Sequence, residues 1–205
     1  MALSRQTIDK ACRLLAEQDR DWQYLIETVG ACGLQPNNRE PYESLIHAVA
    51  HQQLHGRAAE AILDRLTASY NNQIPSADEL LSHNFDDLCA CGFSARKIET
   101  LRTVAGAAQT GQIPTRQRAR RLSDEALIER LVSLKGIGRW TVEMLLIFTL
   151  GREDILPVDD YGVRDGYRRL KQLETAPTPK ELQQIGRAWS PYRTVATWYL
   201  WRVPK

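Results

Sequence analysis

The sequence predicts an all-α fold, and three observations predict it. Apolar residues recur at helical spacing through ten segments set between turn residues. No stretch sustains the two-residue alternation of a strand followed by a hairpin turn. With 205 residues, 43% of them hydrophobic, the chain is long enough to bury a sizeable core, and no apolar run is long enough to span a bilayer.

Taken in order, the helical segments are 6–17, 22–29, 42–52 and 58–70, whose spaced apolar positions include Ile8, Leu15, Trp22, Leu25, Leu45, Val49, Ile62 and Leu66. The next is 97–110, which opens after a Ser94 cap, with an earlier helix stopping at Gly92. Then come 124–134, capped at Ser123, and 140–150. The series closes with 161–171, 179–189 and 192–201, the last rich in aromatic residues that must be mostly core.

Two of these segments flank a chemically suggestive turn. Leu127, Leu131 and Leu134 lead into Lys135-Gly-Ile-Gly138, and Thr141, Val142, Leu145 and Leu146 follow. Two glycines two apart allow a tight turn and a close approach by another molecule. The free amides opening the second helix add donors and a positive dipole end, so the hairpin is an anion site suited to a nucleic-acid phosphate. A bare Gly-x-Gly is as often a helix C-cap, but the flanking leucines and the following Arg139-Trp-Thr141 favour the anion site. Trp140, taken alone, reads as core. Asp159-Asp160 taken alone reads as a helix cap. Its spacing from the hairpin makes Asp160 the candidate catalytic carboxylate and leaves Asp159 as a cap or loop acid.

The run Leu131-Val-Ser-Leu-Lys-Gly-Ile-Gly-Arg-Trp140-Thr, the downstream Val158-Asp-Asp-Tyr161, Ala48-Val-Ala-His-Gln-Gln-Leu-His-Gly-Arg-Ala-Ala59 and Ala188-Trp-Ser-Pro-Tyr-Arg-Thr194 together resemble the helix-hairpin-helix DNA glycosylases (HhH-GPD superfamily). Within them they are similar to the alkylpurine branch, of the DNA-3-methyladenine glycosylase II type. The resemblance covers most of the chain. It implies a two-lobed helical fold with the active-site cleft between lobes, one lobe built from 37–154 with the hairpin at about 123–150, the other from 1–36 and 155–205. An additional sheet domain that precedes the core in some relatives is expected to be missing.

The site residues follow from the resemblance alone. It implies Asp160 as the catalytic carboxylate, Trp140, Tyr192 and Met144 at the base pocket, and Gly136, Gly138, Lys135 and Thr141 at a DNA phosphate. Gln53, Leu54 and His55 fall in the loop that fills the gap left by an extruded nucleotide. The backbone carbonyls of Val132, Leu134 and Ile137 are implied as ligands of a structural Na+ or K+, with no cofactor required. Bifunctional relatives place a Schiff-base lysine where this chain has Trp140, so the implied chemistry is monofunctional: the N-glycosidic bond is hydrolysed and an abasic site remains. The implied substrates are alkylated purines such as 3-methyladenine and 7-methylguanine in duplex DNA, in base excision repair. Another lesion or mismatch on the same fold, or a non-catalytic DNA-binding module, are the alternatives.

Composition bounds the rest. A net charge of +2 permits nucleic-acid binding without demanding it. The run Arg116-x-Arg118-x-Arg120-Arg121 reads as a solvated loop or an auxiliary phosphate contact. Cys12, Cys32, Cys89 and Cys91 lack the ladder of an iron-sulfur cluster and none follows Cys91, so no cluster is expected. Cys89 and Cys91 read as buried thiols in a reducing compartment, cytosolic or nuclear, in a protein expected to be monomeric. His47, His51 and His55 share a helical face, and structural or DNA-contact roles are favoured over zinc because no acid or thiol converges there.

Overall fold

A computed structural model of the chain describes residues 3–54 and 56–204. Its helices are, in chain order, α1 (Arg5–Gln18), α2 (Arg20–Val29), α3 (Pro41–His51), α4 (Gly56–Thr67), α5 (Ala77–Ser82), α6 (Phe85–Ala90), α7 (Ala95–Gln109), α8 (Arg116–Ala119), α9 (Asp124–Val132), α10 (Arg139–Leu145), α11 (Tyr161–Leu170), α12 (Pro179–Ile185) and α13 (Arg193–Leu200). A π-helical turn (Leu146–Leu150) continues α10, and a 3-10 turn (Gly186–Trp189) continues α12. Among the described residues there is no β-strand, and no helix is long and apolar enough to cross a membrane.

The chain separates into two compact units, one of residues 38–145 and one joining 1–37 to 146–205. In the unit of residues 38–145, α3 packs on α4, α7 and α10, while α9 packs on α10. Leu45, Ile46, Val49, Leu101, Val104, Leu127, Leu131 and Val142 are buried there. Each is the inward position of its helix's apolar stripe, which is why the 3.6-residue period located these helices. Ser94 and Ser123 cap α7 and α9 as their spacing predicts.

The other unit is organised by α13. Its Val195, Ala196, Tyr199 and Leu200 are buried, and α1, α2 and α11 pack around it. Trp22 meets Trp189 edge to face with centroids 5.3 Å apart, in the range favoured for aromatic pairs. Asp19 separates α1 from α2. Its Oδ1 accepts from the amides of Asp21 (3.0 Å) and Trp22 (3.1 Å), and its Oδ2 accepts from Lys171 Nζ at 2.6 Å. At Gly166 a Cβ would lie 2.0 Å from the Leu200 carbonyl oxygen, so the absence of a side chain sets how closely α11 and α13 approach.

Four sequence expectations change. The segment 140–150 is not one α-helix. Its run Leu145-Leu-Ile-Phe-Thr-Leu150 is apolar on nearly every side, and the backbone widens to a π-turn that buries Leu146, Ile147, Thr149 and Leu150 and leaves Phe148 half-buried. Residues 146–154 lie with the termini rather than with the middle of the chain, putting the boundary at 145/146 instead of 154/155. The amides of Leu3 and Asn37 donate to Gly151 and Phe148. The basic run is not all loop, since 116–119 form α8, capped by Thr115. Cys89 is exposed and Cys91 half-buried, because α6 is two turns at most and Leu88 alone takes its inward position.

Replacing Gly166 by Ala is expected to destabilise the protein by about 2–3 kcal/mol, since the methyl group meets backbone that cannot rotate away. Urea unfolding followed by circular dichroism measures the loss, and an unchanged midpoint would show that α11 can move off α13 at no cost.

Candidate active site

The hairpin is built inside the unit of residues 38–145. After α9 the chain turns through Ser133–Gly138, with the Ile137 amide donating to the Leu134 carbonyl at 3.0 Å, and α10 starts with the Val142 amide donating to the Gly138 carbonyl at 3.3 Å. Gly136 has φ +89°, and a Cβ on it would lie 2.2 Å from Thr100 Oγ1. Local conformation and packing against α7 therefore both require glycine there. Gly138 has neither constraint: its φ lies outside the left-handed region and a Cβ would have no atom within 4 Å. Its lack of a side chain leaves open space beside the amides that begin α10, which is what a phosphate oxygen needs.

The charges beside the glycines are already partnered. Lys135 pairs with Glu99 at 3.1 Å with both side chains exposed. Arg139 holds Glu125 with two hydrogen bonds (3.0 and 3.1 Å) and Glu143 at 3.1 Å. Glu143 is buried, and its neutralisation by Arg139 makes it a structural carboxylate. Trp140 is 44% exposed, well above what a core tryptophan shows, so its indole has a face toward solvent. Met144 is half-buried one turn on. Thr141 is 4% exposed, which confines any phosphate contact at this position to its backbone amide. The carbonyls of Val132, Leu134 and Ile137 lie in the same turn, and that of Leu134 already accepts the Ile137 amide.

A second segment is tied to the hairpin by a contact the sequence did not advertise. Gln52, at the end of α3, donates from Nε2 to the Gly136 carbonyl at 3.1 Å, and Lys97 Nζ donates to the Ala50 carbonyl at 2.7 Å. The loop that follows has Gln53 in the left-handed region (φ 56°) and Leu54 40% exposed. Both expected wedge residues are thus displayed beside the hairpin, while His55 lies outside the described residues. His51 hydrogen-bonds to Glu60 at 3.1 Å, and no group of acids, cysteines and histidines suited to a metal occurs among the described residues. Burial, with the Arg39 cation nearby, lowers the His47 imidazole to about 4.

Asp160 belongs to the other unit, as the N-cap of α11. Its Oδ1 accepts from the Val163 amide at 2.9 Å and from the indole Nε1 of Trp201 at 3.2 Å. Capping thus falls to Asp160 itself and not to Asp159, which is exposed. Two N–H donors, one from the backbone and one from a side chain, thus converge on the same carboxylate oxygen. Trp201 was missed on the sequence, where the aromatic assigned to the pocket is Tyr192. Tyr192 precedes the first turn of α13 and Trp201 follows the last, a separation of about 13 Å along the helix. The signals that could have pointed to Trp201 are Gly162 and Gly166, four apart on α11. Cβ atoms there would meet Trp201 Cδ1 at 3.3 Å and the Leu200 backbone.

Arg193 is tied to Asp154. Its Nε and Nη2 donate to Asp154 Oδ1 and Oδ2 at 2.7 and 2.9 Å, and Ser190 Oγ donates to the same carboxylate at 2.8 Å. Burial alone would raise the Asp154 carboxyl, but the Arg193 and Ser190 hydrogen bonds outweigh it and hold it below the usual range.

Known proteins are similar to the chain in sequence and in fold. The family profile of the HhH-GPD superfamily base excision DNA repair proteins matches residues 46–191. DNA-3-methyladenine glycosylase 1 of Schizosaccharomyces pombe is 48% identical over 204 residues, covering 97% of this chain and 89% of the relative. Among solved structures, a 3-methyladenine DNA glycosylase of S. pombe in complex with abasic DNA matches with a TM-score of 0.86 at 48% identity, over 94% of this chain and 95% of that one. A DNA-3-methyladenine glycosidase of Bacillus halodurans matches with a TM-score of 0.83 at 33% identity, over 94% and 88%.

The two hairpin glycines are expected to separate under substitution. Gly136→Ala should lose about 2 kcal/mol or more of stability through its positive φ and the Thr100 contact. Gly138→Ala should stay within about 0.5 kcal/mol of wild type while weakening binding to abasic duplex about tenfold, the worth of one charge-assisted hydrogen bond. Thermal melts and fluorescence anisotropy on both variants decide it.

A second expectation concerns pH. The folded value of His47, about 4, lies below the ordinary 6.5, so the unfolded chain binds the extra proton between these values. Its contribution to stability is therefore complete above pH 6.5 and lost as pH falls toward 4. Melting temperatures across that window should fall less steeply for His47→Gln, and parallel profiles would refute the assignment.

Proposed function

The chain belongs to the HhH-GPD superfamily of base excision DNA repair proteins, and within it we propose a monofunctional DNA glycosylase that releases alkylated purines from duplex DNA. The observation that carries the reading is Asp160, a carboxylate held by two N–H donors in a helix cap. Alkylation at N3 or N7 leaves a purine cationic and its bond to the sugar weak. The reaction then needs no acid for the leaving group. As the bond lengthens, positive charge grows on the sugar, and an ionised Asp160 stabilises it or takes a proton from the attacking water.

The other parts of the proposal serve that step. The amides of Gly136 and Gly138 and those opening α10 grip a phosphate, with Lys135 free to exchange Glu99 for it at little cost because exposed ion pairs are weak. Gln53 and Leu54 fill the stack once the nucleotide has turned out, and the exposed indole of Trp140 stacks on the extruded base, which a cationic purine reinforces. The neutral carbonyl oxygens of Val132, Leu134 and Ile137 suit a monovalent cation, which would strengthen the positive field at the hairpin. Trp140 occupies the position where strand-cutting relatives carry their lysine, so the product is an intact strand with an abasic site.

Asparagine caps helices about as well as aspartate, so Asp160→Asn keeps the fold while removing the charge. Methylated duplex DNA should release free 3-methyladenine and 7-methylguanine with the wild-type protein, with strand breaks only after alkali. The variant should bind the same DNA with release lowered by a factor on the order of a thousand. Wild-type protein that binds duplex and releases nothing would leave a DNA-binding module or a different lesion.

A further inference from the structure

We propose that Trp201 is the positioning residue of the reaction, and that its indole N–H, rather than the bulk of its ring, aims the Asp160 carboxylate. The inference rests on the reading of Asp160 as the catalytic carboxylate. A helix cap needs only one donor, and the Val163 amide supplies it at 2.9 Å. The Trp201 Nε1 contact at 3.2 Å reaches the same oxygen from another direction, so a side chain arriving from α13 takes part in setting how the carboxylate is turned.

The surroundings are shaped for that arrival. Trp201 is the residue just after α13, and its indole lies parallel to the Phe148 ring, with centroids 5.8 Å apart and planes 18° from parallel. Phe148 sits in the π-turn, a backbone irregularity that changes which way residues project, and here it backs the indole. On α11, Gly162 leaves room for the ring: a Cβ there would come within 3.1 Å of Asp160 Oδ1 and 3.3 Å of Trp201 Cδ1. Gly166, one turn on, lets the Leu200 backbone approach, which carries Trp201 to the cap. Two glycines, a π-turn and a stacked ring therefore converge on one hydrogen bond.

The test replaces Trp201 with β-(3-benzothienyl)alanine, which keeps the shape and stacking of the indole and has no N–H, by site-directed suppression, beside Trp201→Phe and Asp160→Asn. Single-turnover release of 7-methylguanine, affinity for abasic duplex and melting temperature are read for each. The expected result is a release rate about tenfold lower for both Trp201 variants, with the affinity and melting temperature of the benzothienyl protein at wild-type values. A benzothienyl protein with the wild-type rate would overturn the proposal, because shape alone would then be sufficient. A loss of affinity or melting temperature matching the loss of rate would overturn it too, as a structural role. If Asp160→Asn kept the wild-type rate, the reading of Asp160 would fail first, an outcome distinct from either.

Discussion

Close contact between α11 and the end of α13 is the constraint on which the arrangement around Asp160 depends. Where a Cβ on Gly166 would come within 2.0 Å of a backbone oxygen, the spacing of the two helices is set by covalent geometry and not by adjustable side chains. The cap at Asp160, the reach of Trp201 and the stacking of Phe148 all inherit their positions from that spacing. The chemistry asks for a carboxylate held within a fraction of an ångström, and rigid backbone contact supplies that tolerance better than a loop.

In the unit that holds the hairpin, two glycines in one motif answer to different demands. Gly136 is needed by the fold, through its φ of +89° and its contact with Thr100, whereas nothing around Gly138 forbids a side chain. A glycine that local structure does not require leaves room for something outside the protein, and in the proposed function that occupant is a DNA phosphate.

Much of this was legible in the sequence, for identifiable reasons. Long helices announce themselves by period, and the Ser94 and Ser123 caps and the hairpin by residue type. Asp160 was singled out by its spacing from the hairpin, and the structure makes it the N-cap of α11. The short helices α5 and α8 were not, because one turn carries too few positions for a period to emerge. Nor was the π-turn, since a nearly unbroken apolar run looks like any buried helix. That Trp201 was missed has the same origin. Five aromatic residues fall between 189 and 201, and which of them reaches Asp160 depends on where α13 ends, a tertiary fact that only Gly162 and Gly166 hint at.

The pairing of Lys135 with Glu99 and of Arg139 with Glu125 and Glu143 bears on how the protein searches DNA. In the proposed function, a hairpin whose cations are partnered at rest meets the phosphate with backbone dipoles and, once it leaves Glu99, with Lys135, which together displace few condensed counterions. Such a contact adds little to long-range attraction and weakens little as salt rises. Under that proposal the grip acts at short range, and undamaged duplex would be let go readily at cellular ionic strength.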